Sequence, residues 1–219
     1  MANITPKRRS VVAFIGLILL FPFYLILKLI AKDPRLYIFG SSLGYHFADN
    51  SKYLFLYASE HVRHIRSVFI SKDRDVVNFV KSIGMNAEYL YSFSGLRTVI
   101  RAKRAFISHS IGDIHPVFTS GSEVIQLWHG TPLKMIGYDA DWINDNGTNK
   151  IRNVIKQMCY SIIPYLYSSR CFDKIIISSD FNCPSFKSAF NISETIIDVM
   201  GQSRNDSMSK NYQILFVNK

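Results

Sequence analysis

Residues able to do chemistry are densest in one short stretch, QLWHGTPLKMIGYD, at positions 126–139. His129 can accept a proton near neutral pH, which makes it a candidate general base. The ammonium group of Lys134 can pair with a phosphate, and the carboxylate of Asp139 can orient either side chain. A lone histidine at the end of a strand is more often structural, so the residue types alone leave both interpretations open.

The backbone of the same stretch is suited to an anion. Gly130 permits a ligand to approach the main chain closely. Pro132 predicts a turn or the first position of a helix, whose unpaired amide groups can bind a negative charge. The stretch therefore fits a site for a phosphate-bearing ligand as well as a structural turn.

Three other polar loops contain residues of related types. Asp49, Asn50 and Lys52 follow the first β-rich run, where they fit either ligand binding or the start of a helix beside a solvated loop. His109 follows a later run, and Arg204 lies in GQSRND, where it suits a phosphate or an ion pair with a nearby acid. Because sites collect where parallel strands end, four such loops predict a cleft at one edge of a sheet.

The elements that must position these loops alternate between short β-rich runs and helical stretches. Such alternation predicts a doubly wound α/β domain with a mainly parallel sheet. The predicted strands are residues 36–41, 66–71, 87–92, 104–110, 123–130, 174–180 and 196–201. The predicted helices are residues 51–62, 74–83, 94–103, 150–169 and 184–190.

Two of the predicted helices have further expectations attached. Asn50 or Ser51 is the expected amino-terminal cap of the first, because short polar side chains accept hydrogen bonds from free helical amides. The stretch at 150–169 is amphipathic at its start, so it either packs on the sheet or lies on a membrane.

The composition is that of a folded chain with an anionic partner. Apolar residues make up 48% of the 219 positions, enough for a sizeable core, so general disorder is excluded. The 26 basic and 16 acidic side chains give a net charge of +10, which favours nucleic acid, a membrane surface or a phosphorylated substrate. Residues 36–219 contain no Lys/Arg run and no nucleic-acid module, so no nucleic acid is expected. The three cysteines have no zinc-type spacing, and neither a metal ion nor another cofactor is expected.

The amino-terminal segment is apolar and flanked by basic residues. Residues 11–27 contain no charge, and about 20 helical residues cover the ~30 Å hydrocarbon core of a bilayer. An uncleaved anchor is favoured over a secretory signal peptide, because the run is long and lacks a small-residue cleavage site. Three basic residues lie on each side, so the positive-inside rule sets no orientation, and Pro22 leaves a monotopic insertion open.

Several motifs together resemble one family. QLWHGTPLKMIGYD closely resembles the signature of the CDP-glycerol glycerophosphotransferases, the wall teichoic acid primases and polymerases. FGSSLGYHFADNSKYLF resembles the amino-terminal element of that family, AFISHSIGDI its next strand and loop, and GQSRND its G-x-P-R-N-D motif. These motifs span residues 36–206 in the family's order. Ser203 stands where the family usually has proline, which affects only the expected local turn.

The resemblance implies a fold and a reaction. The implied fold is a Rossmann-like parallel-sheet domain, the first half of a GT-B fold, preceded by a membrane-associating helix. The implied reaction transfers glycerol phosphate from CDP-glycerol to a hydroxyl of a lipid-linked acceptor, with CMP as the leaving group. In that reaction His129 is the expected general base.

The same resemblance implies roles for the other candidate residues. Lys134 and the amide groups of Gly130 and Thr131 are expected to neutralise phosphate charge, and Arg204 is expected near an interdomain hinge. The remaining members of the predicted substrate and phosphate site are Asp49, Asn50 and Lys52 on the acceptor side, together with His109 and Asp139.

The expected organisation has three parts. Residues 1–35 form a membrane anchor with basic flanks, residues 36–206 an acceptor-side domain, and residues 207–219 the start of a truncated donor domain. A family member continues through a whole donor domain, so the chain is expected to be about the first half of an enzyme. Two alternatives stay open: a catalytically inactive, membrane-anchored module that binds lipid-linked polyol phosphate, and a transferase that uses CDP-ribitol.

The expected location follows from the donor. A CDP-activated donor is cytosolic, so the α/β domain is expected on the cytoplasmic face of the cell membrane. Peripheral or monotopic attachment is favoured there, with a single-pass anchor as the alternative, because a full span would carry the amino-terminal basic residues outward.

Overall fold

The computed structural model describes residue 16 and residues 18–140 and 171–206. The helix expected at 150–169, most of the expected anchor and the expected start of a second domain at 207–219 lie outside these residues. Among the residues described, no helix is both long and apolar enough to cross a membrane.

Seven strands form one parallel sheet in the described part of the chain, in the order β3-β2-β1-β4-β5-β6-β7. In chain order they are β1 (Asp33–Gly40), β2 (Arg66–Ser71), β3 (Ala87–Tyr89), β4 (Ala102–Ile107), β5 (Glu123–Gln126), β6 (Lys174–Ile177) and β7 (Ile197–Val199). Each strand coincides with a predicted β-rich run, which confirms the α/β parallel-sheet prediction.

Helices connect the strands. Those described are α1 (Phe21–Lys28), α2 (Asp49–His61), α3 (Arg74–Ser82), α4 (Phe93–Arg101), α5 (Cys183–Phe190) and α6 (Ser203–Asp206). The predicted cap of α2 is wrong. The cap is Ala48. The side chains of Asn50 and Ser51 are buried inside the first turn, where Asn50 donates to the carbonyl of Trp128 and Ser51 accepts from Oγ of Ser108.

Two apolar layers hold the helices to the two faces of the sheet. Leu36 and Ile38 of β1 belong to one layer together with Val99 of α4. Phe39, which points the opposite way, belongs to the other layer with Phe55 of α2. Burying side chains of this size contributes about 1.5–3 kcal/mol each, so the alternation along β1 is what requires helices on both sides.

The strand order reverses between β1 and β4, which places the loops after these two strands side by side. Gly40 ends β1 against the loop after β4. A Cβ there would lie 2.6 Å from Cγ1 of Ile114 and 2.8 Å from the carbonyl oxygen of Asp113, so the close approach requires glycine. Open α/β sheets bind ligands at such a switch point.

Lys32, one of the basic residues that flank the apolar segment, has a structural role. Its Nζ donates to the carbonyl oxygens of Ile100 at 2.6 Å and Ser120 at 2.5 Å. Burial lowers the pKa of this ammonium group to about 8. The side chain therefore ties the start of β1 to the carboxyl end of α4 and to the turn before β5.

His115 makes the stability of the domain depend on pH. Its Nδ1 accepts the N–H groups of Val117 at 3.2 Å and Phe118 at 3.4 Å, so the native imidazole is neutral. Burial, with the charge of Lys72 acting in the same direction, lowers the pKa of His115 to about 4. The unfolded chain takes up this proton near pH 6.5, so the contribution is complete above that pH and is lost as the pH falls towards 4.

We expect this proton uptake to cost the wild-type domain up to about 3 kcal/mol of unfolding free energy between pH 6.5 and 4. His115→Asn keeps an acceptor near the position of Nδ1 but cannot titrate. As the pH falls from 6.5 to 4, the urea-unfolding free energy of the wild-type protein should therefore decrease relative to that of His115→Asn. A difference that is independent of pH would contradict the neutral, buried state of His115.

Candidate functional site

The loops after β1, β4, β5 and β7 meet at the carboxyl edge of the sheet and bring four side chains into one chain of contacts. The rings of His129 and His109 stack with their centroids 4.6 Å apart and their planes 10° apart. Nε2 of His109 lies 3.4 Å from Oδ2 of Asp49, whose Oδ1 lies 3.6 Å from Nη1 of Arg204. Four predicted residues from four loops therefore form one cluster.

The hydrogen bond of His129 selects its tautomer. Nδ1 lies 3.1 Å from the carbonyl oxygen of Ser108, and because a carbonyl can only accept, Nδ1 carries the proton. Nε2 is then the nitrogen with a free lone pair. Although the residue as a whole is exposed, its ring contacts His109 and Trp128. This desolvation, with the electrostatic effect of His109 acting in the same direction, lowers the pKa of His129, so its imidazole is neutral at pH 7.

His109 has the opposite tautomer. The N–H of Ser42 donates to Nδ1 of His109 at 3.3 Å, so in the neutral ring Nε2 carries the proton and points it at Asp49. Both ring nitrogens of His109 are therefore engaged by the protein. This arrangement suits a residue that positions Asp49 and His129 rather than one that presents a free nitrogen to a ligand.

Asp113, which the predicted site did not include, organises the loops beneath the cluster. Its carboxylate is fully buried and accepts N–H groups from Leu43, Ser108 and His109, each at 2.8 Å. Burial raises the pKa of Asp113, and the three N–H donors oppose that shift. The carboxylate holds together the loops after β1 and β4.

Asn50 holds three segments together. Its Nδ2 donates to the carbonyl oxygens of Trp128 at 2.9 Å and Leu127 at 3.4 Å. Its Oδ1 accepts the N–H of Arg204 at 3.1 Å, and its backbone carbonyl accepts from Oγ of Ser203 at 2.7 Å. Since the side chain is only 1% exposed, it positions the loops and is not a surface that a substrate can contact.

The loops around the cluster have unusual backbone conformations. In these segments four non-glycine residues have left-handed φ angles: Ser42 (49°), Leu43 (57°), Asp49 (55°) and Trp128 (57°). Such conformations cost of order 1–3 kcal/mol each and persist only where surrounding contacts enforce them. The left-handed turn at Trp128 explains why β5 ends at Gln126, earlier than predicted, and why His129 lies in a loop.

The helix that Pro132 could begin is not there. Residues 131–136 form an irregular loop in which Thr131 and Lys134 are exposed, and the next element is a short 3-10 turn at Gly137–Asp139. The expectation that amides of a helix terminus hold an anion is therefore wrong at this position. Gly130, with a φ of 154°, does leave an open backbone beside the cluster.

Two other predicted residues have partners outside the cluster. Oδ2 of Asp139 accepts a hydrogen bond from Oγ of Ser188 on α5, so its carboxylate does not orient His129 or Lys134. The ammonium group of Lys52 lies over the rings of Phe47, at 5.5 Å, and Tyr53, at 5.2 Å. Both side chains therefore have partners other than those expected from the sequence.

The comparisons with known proteins agree with this fold and these motifs. The sequence profile of the CDP-Glycerol:Poly(glycerophosphate) glycerophosphotransferase family matches residues 21–214. The chain belongs to this family. A similar relative is the teichoic acid glycerol-phosphate transferase of Staphylococcus aureus, 28% identical over 199 residues, which cover 85% of this chain and 46% of that protein. Another is the teichoic acid poly(glycerol phosphate) polymerase of Bacillus spizizenii, 25% identical over 84% of this chain and 45% of that protein.

The fold of this glycerophosphotransferase-family chain matches a solved relative. The wall teichoic acid polymerase TagF superposes with a TM-score of 0.61 at 20% identity, over 94% of this chain and 49% of TagF. The chain thus spans about half the length of the relatives it matches.

Proposed function

We propose that the chain supplies the acceptor-side half of a transferase that moves glycerol phosphate from CDP-glycerol to a hydroxyl of a lipid-linked acceptor. The observation that carries this proposal is the neutral imidazole of His129, which has a free Nε2 and lies in the same cluster as a guanidinium group, at the switch point of the sheet. Family membership supports the choice of donor, and one of the matched TagF structures was obtained with CDPG.

In this proposal His129 is the general base. Its Nε2 removes the proton of the acceptor hydroxyl while the oxygen attacks the phosphorus that bears glycerol. A new bond joins the acceptor oxygen to phosphorus, and the bond from phosphorus to the CMP oxygen breaks. The proton stays on His129, and CMP leaves with the electron pair of the broken bond. The Nδ1–H bond to Ser108 then stabilises the imidazolium ring, since that bond survives protonation.

Neighbouring groups are proposed to neutralise the charge of the transferring phosphate. A Cβ added to Gly130 would lie 3.5 Å from Nη2 of Arg204, so this guanidinium group lies beside an open stretch of backbone. We propose that Arg204 and the amides of Gly130 and Thr131 contact phosphate oxygens, with Lys134 reaching them from its exposed loop. Asp49 holds Arg204 in place.

We propose that residues 36–206 form the acceptor-side domain and that a donor-binding domain completes the cleft. The chain's coverage of about half the length of its relatives supports this division. We also propose that the chain acts at the cytoplasmic face of the membrane, attached through its apolar amino-terminal residues. The exposed apolar side chains of α1 support the attachment.

Transfer of radiolabelled glycerol phosphate tests the proposal. For this assay the chain is joined after Asp206 to the carboxyl half of the S. aureus relative, and the product is called the extended chain. The extended chain is incubated with CDP-glycerol and a synthetic lipid acceptor. Label should reach the acceptor. Acceptor binding without transfer would favour the inactive binding module.

Arg204 provides a separate prediction on substrate affinity. Arg204→Met removes a charge-assisted contact to phosphate, so the KM for CDP-glycerol should rise about 10-fold in the extended chain. Arg35→Met, which removes a cation at the opposite edge of the sheet, is the matched control. An unchanged KM in Arg204→Met, measured beside that control, would remove Arg204 from the phosphate site.

A further inference from the structure

A cavity outside the His129 cluster lies at the amino ends of β4, β5 and β6, beside α1. Its volume is about 770 Å³. Tyr24 and Lys28 of α1 line one side of it, and Lys103 and Arg104 line the other. Because His129 lies beyond the carboxyl end of β5, this cavity and the proposed transfer site occupy opposite edges of the sheet.

The acidic residues of the cavity already have partners. Oε2 of Glu123 accepts from Nε of Arg104 at 2.7 Å. Oδ2 of Asp173 accepts the N–H of Val124 at 2.7 Å. Lys28 and Lys103 are exposed at the mouth of the cavity. The charge available to a ligand there is positive, so the cavity attracts an anion.

The helix beside this cavity has two apolar faces with different surroundings. Tyr24 and Leu27 lie inward and pack with Val117. The outward side chains are exposed and apolar, with exposed fractions of 58% for Phe23, 60% for Ile26 and 86% for Leu29. An exposed apolar strip beside a basic cavity matches an amphiphile whose head is anionic and whose tail is a hydrocarbon.

We propose that the cavity binds the phosphate headgroup of an anionic lipid while the acyl chains lie against the outward face of α1. Lys28 and Lys103 contact the phosphate oxygens at the mouth. The charge of the cavity selects lipid over an apolar protein partner, because an apolar partner would leave both ammonium groups without a counter-charge. The inference rests on the proposed membrane attachment and adds its lipid class and its site.

The cavity and the His129 cluster lie at opposite edges of the sheet. Lys28 and Lys103 can therefore be replaced without changing any residue proposed for transfer.

Vesicle co-sedimentation of the full 219-residue chain tests this site. The chain should bind vesicles of phosphatidylcholine with phosphatidylglycerol and bind phosphatidylcholine alone more weakly. Lys28→Glu/Lys103→Glu should weaken binding to the anionic vesicles at least about 30-fold, because each cation near the surface contributes ~1 kcal/mol. Arg63→Glu/Lys81→Glu makes the same change of charge outside the cavity and should bind nearly as wild type.

Each outcome points to a different part of the inference. Equal loss in both double variants would show a diffuse charge effect and overturn the cavity site. Release by inorganic phosphate, but not by chloride at the same ionic strength, would reassign the cavity to a free phosphate. Failure of the wild-type chain to bind either vesicle would overturn the membrane attachment itself, and it would leave the transfer proposal to its own assay.

Discussion

Replacing His129 by asparagine is expected to lower glycerol phosphate transfer by about 10³-fold in the extended chain, because general bases typically contribute 10²–10⁴-fold. The amide of asparagine can still donate to the Ser108 carbonyl, so the loop should keep its position. What the variant loses is the lone pair of Nε2. The rate of transfer to the lipid acceptor, measured with saturating CDP-glycerol, checks this expectation.

The acid limb of the rate profile supplies a second signature of the same residue. Burial lowers the pKa of His129, so the wild-type rate should fall, with a slope of one, only below the ordinary histidine range near pH 6.5. The residual rate of His129→Asn should lack this limb. His61→Asn changes a histidine that stacks on Tyr57 at the end of α2 and should leave the rate unchanged. A full rate in His129→Asn would remove the base from the mechanism.

Replacing Asn50 by leucine is expected to lower the unfolding free energy by about 3 kcal/mol and to abolish transfer. Leucine has nearly the same volume but leaves the carbonyls of Leu127 and Trp128 and the N–H of Arg204 without their buried partner. Each unsatisfied buried group costs about 1–3 kcal/mol. Urea unfolding of the 219-residue chain measures this loss directly.

A milder substitution separates the hydrogen bonds of Asn50 from general packing. Ser203→Ala removes a single hydrogen bond, to the backbone carbonyl of Asn50, and should cost less than about 1 kcal/mol. If Asn50→Leu unfolds at the same urea concentration as wild type, the side chain does not hold these loops. A stable Asn50→Leu protein with weakened acceptor binding would return Asn50 to the substrate-contacting role suggested by the sequence.

The strands could be predicted because their signal is local. In β1 and β2, consecutive apolar side chains face opposite layers, and β-branched and aromatic residues mark both runs. The ends of the strands were harder to predict. The run at 123–130 remains apolar beyond Gln126, but the left-handed φ of Trp128 turns the chain there, and that conformation is imposed by contacts with Asn50 and α5.

The members of the site could be predicted singly, but their roles depend on tertiary contacts. His129, His109, Asp49 and Arg204 each follow a different strand, so the topology brings them together. A sequence cannot tell which polar side chain turns inward. Asn50 has the residue type of a helix cap, yet its amide binds loops more than 70 residues away.

The partners of charged residues were likewise not predictable from the sequence. Lys32 resembles a basic flank of an apolar segment, but its ammonium group is held by two backbone carbonyls. Asp113 lies in a polar loop, and its three backbone donors could not be identified from spacing. The partners of such buried polar groups are set by tertiary contacts, so they cannot be assigned from the sequence.

Mass spectrometry of the acceptor after a single turnover tests the central claim most directly. Three proteins are compared: the 219-residue chain, the chain extended by a donor half, and the extended His129→Asn variant. We predict one added glycerol phosphate unit with the extended chain, and none on the same timescale with the other two. An equal yield from the extended wild-type protein and its His129→Asn variant would contradict the proposed transfer site.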